Sequence, residues 1–234
     1  MKLYFRKYSA LGNNFIITHS LNRIDEDTII KMCDIKLGIG ADGLILVKKN
    51  PYEMEYFNKD GSKAKICGNG LRCAIDYLKL KKNGSILVDG INYEYSVSKG
   101  LITVSLKKVK DIYSHKDQIN HLGKVVNFEF VDMIVPHIVV IDDIEDKENL
   151  ALAIRGLDKY KNANVNFYSK NKINTYENGV GFTSSCGTGS AAVAYVLEKD
   201  ILVENSYGKM NVLVNKYIQL RSRVNFVFKG VYYV

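Results

Sequence analysis

The stretch Cys67-Gly68-Asn69-Gly70, followed by a helix-forming run at 71–81, decides the reading of this chain. The same pattern returns as Cys186-Gly187-Thr188-Gly189, followed by an Ala-rich run at 190–199 that also predicts a helix. The two cysteines are 119 residues apart in a chain of 234, so each half carries one copy. A lone C-G-x-G is a weak signal. Two copies at half-chain spacing, each opening a helix, predict two similar domains facing each other.

A cysteine just before a helix stands at the positive end of the helix dipole, where a thiolate is favoured. The Gly-x-Gly after it leaves backbone N–H groups that can hold a carboxylate, with no Cβ in the way. Two such units around one amino acid could remove a proton from one face of a carbon and return one to the other. The N–H groups would stabilise the charge that develops. From the tetrapeptides alone, two buried capping cysteines fit equally well.

Outward from these units, strands dominate. Short β-branched or aromatic segments occur at 3–8, 15–18, 44–47, 54–57, 86–88, 93–97 and 101–106. The second half repeats the style at 125–130, 138–141, 164–168, 173–176, 210–214 and 217–221, with a final run at 225–234. Besides the two cysteine-led helices, 27–33 (capped by Asp25 or Asp27) and 148–157 read as helical. The expected class is α+β: two similar domains, 1–112 plus 225–234 holding Cys67, and 113–224 holding Cys186.

With 47 % apolar residues and two prolines, the chain predicts a folded protein without a Pro-rich linker. No secretory h-region follows Lys2, Arg6 and Lys7, and no apolar run reaches the roughly 20 residues of a membrane span. The expectation is a cytoplasmic protein without membrane contact. Four cysteines, Cys33, Cys67, Cys73 and Cys186, without a C-x2-C pair argue against zinc, and the absent signal argues against a disulfide framework. Cys67 and Cys73 should point to different faces of their helix. The net charge of +8 comes from scattered lysines and predicts no nucleic-acid partner. Gly38-Ile39-Gly40-Ala41-Asp42-Gly43 spells a dinucleotide fingerprint, but a strand-like Leu44-Ile45-Leu46-Val47 follows it where that motif needs a helix, so nucleotide binding is rejected.

These residues resemble the diaminopimelate epimerase superfamily, the cofactor-independent two-cysteine amino-acid racemases. The resemblance runs through Gly12-Asn13-Asn14-Phe15, the 38–43 stretch, Asn58-Lys59-Asp60-Gly61-Ser62 and the first cysteine unit through Leu71-Arg72-Cys73. It continues through Pro136-His137, Asn164-Val165-Asn166-Phe167, Glu177-Asn178-Gly179-Val180-Gly181 and Thr183-Ser184-Ser185-Cys186-Gly187-Thr188-Gly189. It implies that each domain is a curved, barrel-like, mostly antiparallel sheet around a central helix, with the last strand returning to the first domain. It also implies that Cys67 and Cys186 are the acid/base pair, with His137 and Glu177 tuning them. The backbone of Gly68, Asn69, Gly187 and Thr188 would clamp an α-carboxylate, and Asn13, Asn58, Asn164 and Asn178 would contact substrate. No cofactor and no metal is implied; a small amino-acid substrate and a homodimer are.

Three positions depart from the family pattern. Ile134-Val135-Pro136-His137 stands for Gly-Asn-Pro-His, Glu177-Asn178-Gly179 for Glu-Arg-Gly, and Asn14 for an aspartate. In the resemblance the missing Asn and Arg hold the distal end of diaminopimelate; an Arg there would pair with its second carboxylate. Their loss predicts racemisation of a free polar amino acid, histidine first, with diaminopimelate or a sulfur analogue as the alternative.

Overall fold

The computed structural model describes residues 2–19, 24–170, 172–183 and 186–234. Ser184 and Ser185 of the second cysteine motif lie outside the described residues. Two compact units divide the chain: Met1–Ser105 with Ser206–Gly208 and Arg221–Val234, and Leu106–Asn205 with Lys209–Leu220.

The first unit runs β1 (Lys2–Ala10), β2 (Asn13–Thr18), α1 (Glu26–Cys33), β3 (Gly43–Lys48), β4 (Glu53–Asn58), β5 (Lys63–Ala64), α2 (Gly68–Tyr77), β6 (Lys82–Val88), β7 (Ile91–Ser98) and β8 (Leu101–Lys108). The second runs β9 (Tyr113–His121), β10 (Lys124–Asp132), β11 (Pro136–Val140), α3 (Lys147–Arg155), β12 (Asn164–Ser169), β13 (Lys172–Glu177), β14 (Gly181–Thr183), α4 (Gly187–Val196), β15 (Ile201–Asn205), β16 (Gly208–Val214) and β17 (Tyr217–Ser222). The last strand, β18 (Asn225–Tyr233), returns to the first unit and pairs antiparallel with β1. The architecture is thus α+β, with each half a mostly antiparallel sheet around its cysteine-led helix.

In the first unit the sheet order is β8-β7-β6-β4-β3-β2-β1-β18, with β2–β3 and β4–β6 parallel. Phe15, Ile16 and Ile17 of β2 are all fully buried, because helices cover both faces. Ile16 and Leu44 join Ile29 and Met32 of α1 in one cluster. Their neighbours Phe15 and Ile45 turn to the other face and lie against Gly70 of α2. This is the period-2 alternation of a strand whose two faces are both apolar. Asp25 caps α1 by accepting from the Thr28 amide at 2.8 Å. The run at 38–43 leads into β3 and opens no helix.

In the second unit the order is β14-β13-β12-β11-β10-β9, with only β11–β12 parallel. Leu150, Ala151 and Ile154 of α3 meet Phe128, Ile138, Val140, Val165 and Phe167 of the sheet in one core. Strand β9 falls outside the expected segments. Its sequence, Tyr-Ser-His-Lys-Asp-Gln-Ile-Asn-His, is polar, and its residues are exposed or half-buried, with none fully buried, as fits the end of a sheet whose register is set by β10. The short strands β5, β14 and β15 were likewise not expected.

Both cysteine-led helices begin three residues earlier and end earlier than expected. Cys67 and Cys186 are themselves the extended N-caps, so Gly-x-Gly forms the first turn, where ladder donors are not needed. Each helix stops where Lys79 (φ 56°) or Glu198 (φ 52°) turns left-handed. The next amide reaches back five residues in both, Leu80 to Ile75 at 3.1 Å and Lys199 to Ala194 at 3.3 Å, the closing bond of a Schellman cap. The repeat therefore extends from the cysteine cap to the last carbonyl.

Candidate active site

In the first unit Cys67 is half-buried and its side chain makes no capping bond. Its carbonyl accepts from the Leu71 amide at 2.8 Å. Behind it, Asn69 is buried and donates through Nδ2 to Asn13 Oδ1 at 2.7 Å, while Arg72 Nη2 donates to Asn69 Oδ1. The start of β2 is thereby tied to the first turn of α2. Arg72 is fully buried, and burial pushes its guanidinium down to about 10. Charge on Cys73 and on Cys67 pulls the other way, so a guanidinium and a Cys67 thiolate attract each other across the helix turn.

The other expected residue of this unit, Asn58, sits in its own turn. Its Nδ2 donates to Ser62 Oγ at 3.0 Å and its amide donates to the Ser62 carbonyl at 2.9 Å. Among the described residues it is not hydrogen-bonded to Asn13, Asn69 or Cys67. Where Asn14 replaces an aspartate, the acidic side chain comes from Asp42, whose Oδ2 accepts from the Asn14 amide at 2.7 Å.

In the second unit Cys186 is buried, and its Sγ accepts from the Gly189 amide at 3.3 Å, with Thr188 Oγ1 at 3.6 Å. Ser190 donates through Oγ to the Cys186 carbonyl at 2.9 Å. Glu177 accepts a short bond from Thr183 Oγ1, and burial raises its carboxyl above the usual range. His137 and Asn164 are register partners on the parallel strands β11 and β12, and Asn164 Oδ1 accepts from the Asn178 amide at 2.8 Å. His137 is wholly buried, and desolvation drives its imidazole down to about 3. Its Nδ1 meets Asn166 Nδ2 at 3.1 Å rather than Glu177.

The remaining cysteines are poor acid/base groups. Burial pushes the Cys33 thiol up to about 12 and the Cys73 thiol further still. Among the described residues no three His, Cys, Asp or Glu side chains form a metal-sized cluster, and no helix is long and apolar enough to cross a membrane.

Three polar residues of these surroundings escaped the sequence reading. Arg72 was legible as one charge inside the apolar run Leu71-Arg72-Cys73-Ala74-Ile75, and Asn166 as an amide between Val165 and Phe167 in a strand. Arg155 looked like an ordinary C-terminal cation of α3, yet its Nη2 donates to Asn178 Oδ1 and to the Lys161 carbonyl at 3.1 Å.

Residues 5–121 match the family model described as diaminopimelate epimerase. A diaminopimelate epimerase of Campylobacter jejuni is 35 % identical over 219 residues, covering 88 % of this chain and 85 % of that protein. One from Flavobacterium psychrophilum is 32 % identical over 265 residues, covering 98 % and 99 %. The chain belongs to the diaminopimelate epimerase family. It is an isomerase of the epimerase and racemase class, which does not need pyridoxal phosphate. Solved structures with the same fold include a PhzF-family phenazine biosynthesis protein of Bacillus anthracis, with TM-score 0.72, 13 % identity and full coverage of both chains. A hydroxyproline epimerase of Agrobacterium vitis with bound trans-4-hydroxy-L-proline has TM-score 0.70 and 12 % identity, covering 98 % of this chain and 92 % of that one.

Proposed function

We propose that this chain inverts one α-carbon of diaminopimelate by two-base proton transfer, with Cys67 and Cys186 as the acid/base pair. One cysteine, as thiolate, takes the α-proton; the other, as thiol, returns a proton to the opposite face. Backbone N–H groups of Gly68, Asn69, Gly187 and Thr188 hold the α-carboxylate and stabilise the carbanion as it forms.

The substrate choice departs from the expectation of histidine, and one observation carries it: the Arg155 guanidinium on Asn178. Asn178 stands where the typical epimerase has its Arg, and here a second residue delivers the cation to that place. None of the ion pairs among the described residues involves Arg155, and its Nε–H is buried without an acceptor. A cation so placed suits a second substrate carboxylate, which histidine lacks. Relatives 32–35 % identical that bear the name diaminopimelate epimerase support the same reading. The test compares L,L-diaminopimelate with L-histidine by deuterium exchange at Cα. Diaminopimelate should win, and Arg155→Met should raise its KM on the order of 30-fold, the loss of a charged pair worth about 2 kcal/mol or more. A preference for histidine would overturn the substrate choice and leave the two-base chemistry standing.

In this reading the enzyme works in the cytoplasm on a free small molecule, without nucleic acid; its four free thiols fit a reducing compartment. A homodimer is proposed through β18. That strand ends its sheet and exposes Phe226, Val227, Phe228, Val231 and Tyr233, an edge that a second copy would cover. Sedimentation of Val231→Lys should show a monomer where the parent sediments as a dimer.

A further inference from the structure

Asn166 has no assigned role, yet it is fully buried on β12 with every polar hydrogen and its oxygen committed. One Nδ2 hydrogen goes to the Ile138 carbonyl at 2.9 Å and the other to His137 Nδ1 at 3.1 Å. Its Oδ1 accepts from Thr175 Oγ1 at 3.0 Å. This amide cannot be flipped, because Oδ1 would then confront the Ile138 carbonyl, which has no proton to give. Nδ2 therefore donates to His137, and His137 Nδ1 is an acceptor. The imidazole proton must sit on Nε2.

That Nε2–H is buried and has no hydrogen-bond partner among the described residues. A buried donor left unmade costs about 1–3 kcal/mol, which folded proteins rarely tolerate without a use for it. The fixed amide also reaches the cysteine turn: a Cβ on Gly189 would stand 2.2 Å from Asn166 Oδ1 and 3.2 Å from Cys186 Sγ. Asn166 thus lies between the histidine and the first turn of α4.

We propose that Asn166 is a positioning residue that holds His137 as a neutral Nε2–H donor, reserved for an anionic acceptor in the occupied site, so that His137 gives a hydrogen bond and does not take a proton. This rests on the two-base site proposed above and on His137 belonging to it, as the family resemblance implies. A carboxylate oxygen of the substrate is the acceptor such a donor suits.

The test begins with ¹⁵N NMR of the histidine side chains in the full-length protein without substrate, with His137 identified by the signal lost in His137→Gln. The expected result is a pyridine-type Nδ1 and a pyrrole-type Nε2, unchanged from about pH 5 to about pH 8, a range in which ordinary histidines titrate. An Nδ1–H form, or titration within that range, would overturn the proposal whether or not any substrate is turned over. Asn166→Asp keeps the shape and removes the donor; it should move the proton to Nδ1 and lower kcat/KM on the order of 10–100-fold, as lost orienting partners of active-site groups do. An unchanged tautomer in a folded Asn166→Asp would also overturn it. His137→Gln and His137→Leu separate donor from base: Gln retains an N–H and should keep at least tenfold more activity than Leu. Equal loss in the two folded variants would refute the donor role. Failure of the diaminopimelate reading would show instead as a wild-type protein with the expected tautomer and no exchange of that substrate.

Discussion

The helices α2 and α4 start from the same tetrapeptide pattern and end on the same cap, yet each cysteine meets a different environment. Cys67 is half-exposed, makes no side-chain cap bond, and has the buried cation Arg72 one turn behind it. Cys186 is buried, takes the Gly189 amide on its sulfur, and has Ala191 at the position matching Arg72. The polar support of the second unit comes from the sheet, through Asn166 and the uncharged His137. Repetition of the backbone thus sets where a cysteine stands, while the charge around it is assigned separately in each half. Such an asymmetry suits a reaction that needs one thiolate and one thiol at the start.

The sharpest way to break this comparison is to remove the sulfurs one at a time. Cys67→Ala and Cys186→Ala should each lower epimerisation by about 10²–10⁴-fold, the weight of one acid/base group. In the proposed mechanism each sulfur serves one face, so the two variants should retain deuterium exchange from opposite stereoisomers of the substrate. Epimerisation at the parental rate in either variant would end the two-base reading. Next in size is Arg72→Met. Loss of the cation should lower turnover about tenfold and raise the pH at which activity appears, since a Cys67 thiolate loses its attraction. Folding stability should fall by about 1–3 kcal/mol, because Met takes the Arg72 donor away from the buried Asn69 Oδ1. Placing Lys at 191 would add no matching benefit, as the buried Ala191 has no prepared room.

How much of this was legible follows from which interactions are local. The cysteine caps, the Gly-x-Gly turns and the alternating strands are written within ten residues, and they were readable along with the α+β class. The polar β9 was not, because its strand state comes from pairing with β10. Nor could the chain say that Arg155 meets Asn178 across 23 residues or that Asn166 meets His137 across 29, since both contacts exist only after β11–β13 and α3 assemble. The histidine expectation rested on that gap: the missing Arg was read from one position, whereas a cation from α3 reaches Asn178, the contact on which the diaminopimelate proposal rests.

The glycines sharpen the comparison at the level of packing. Gly70 and Gly189 match in the repeat, but a Cβ on Gly70 would meet the far end of the Ile45 side chain at 2.9 Å, which can move. A Cβ on Gly189 would strike Asn166 Oδ1, which three hydrogen-bonded groups hold in place. Gly70→Ala should cost about 1 kcal/mol or less, since helical Ala recovers propensity. Gly189→Ala should cost about 2–3 kcal/mol in a denaturant melt, through strain and a broken buried bond. Equal costs would mean that the two helix starts are interchangeable.

The smallest effect concerns acid. His137 has a folded-state value near 3 against about 6.5 when unfolded, so below about pH 6.5 the unfolded chain binds a proton that the native chain does not. Stability therefore falls as pH drops from about 6.5 toward 3, by up to about 1.4 kcal/mol for each pH unit. Arg72 adds nothing here, since it is charged in both states throughout that range. Asp117, whose carboxyl is held low by Lys159 and Tyr160, loses its contribution only below about pH 4. Glu177 works in the opposite direction, because burial raises it and the native state gains its proton first. The raw slope thus mixes two groups, and the informative quantity is the difference between the parent and His137→Gln. Between about pH 7 and pH 5 the parent should lose roughly 2 kcal/mol more than the variant in urea midpoints converted to free energy. Parallel profiles would place the proton on His137 in the native state and would erase the distinction between a charged support in one half and an uncharged one in the other.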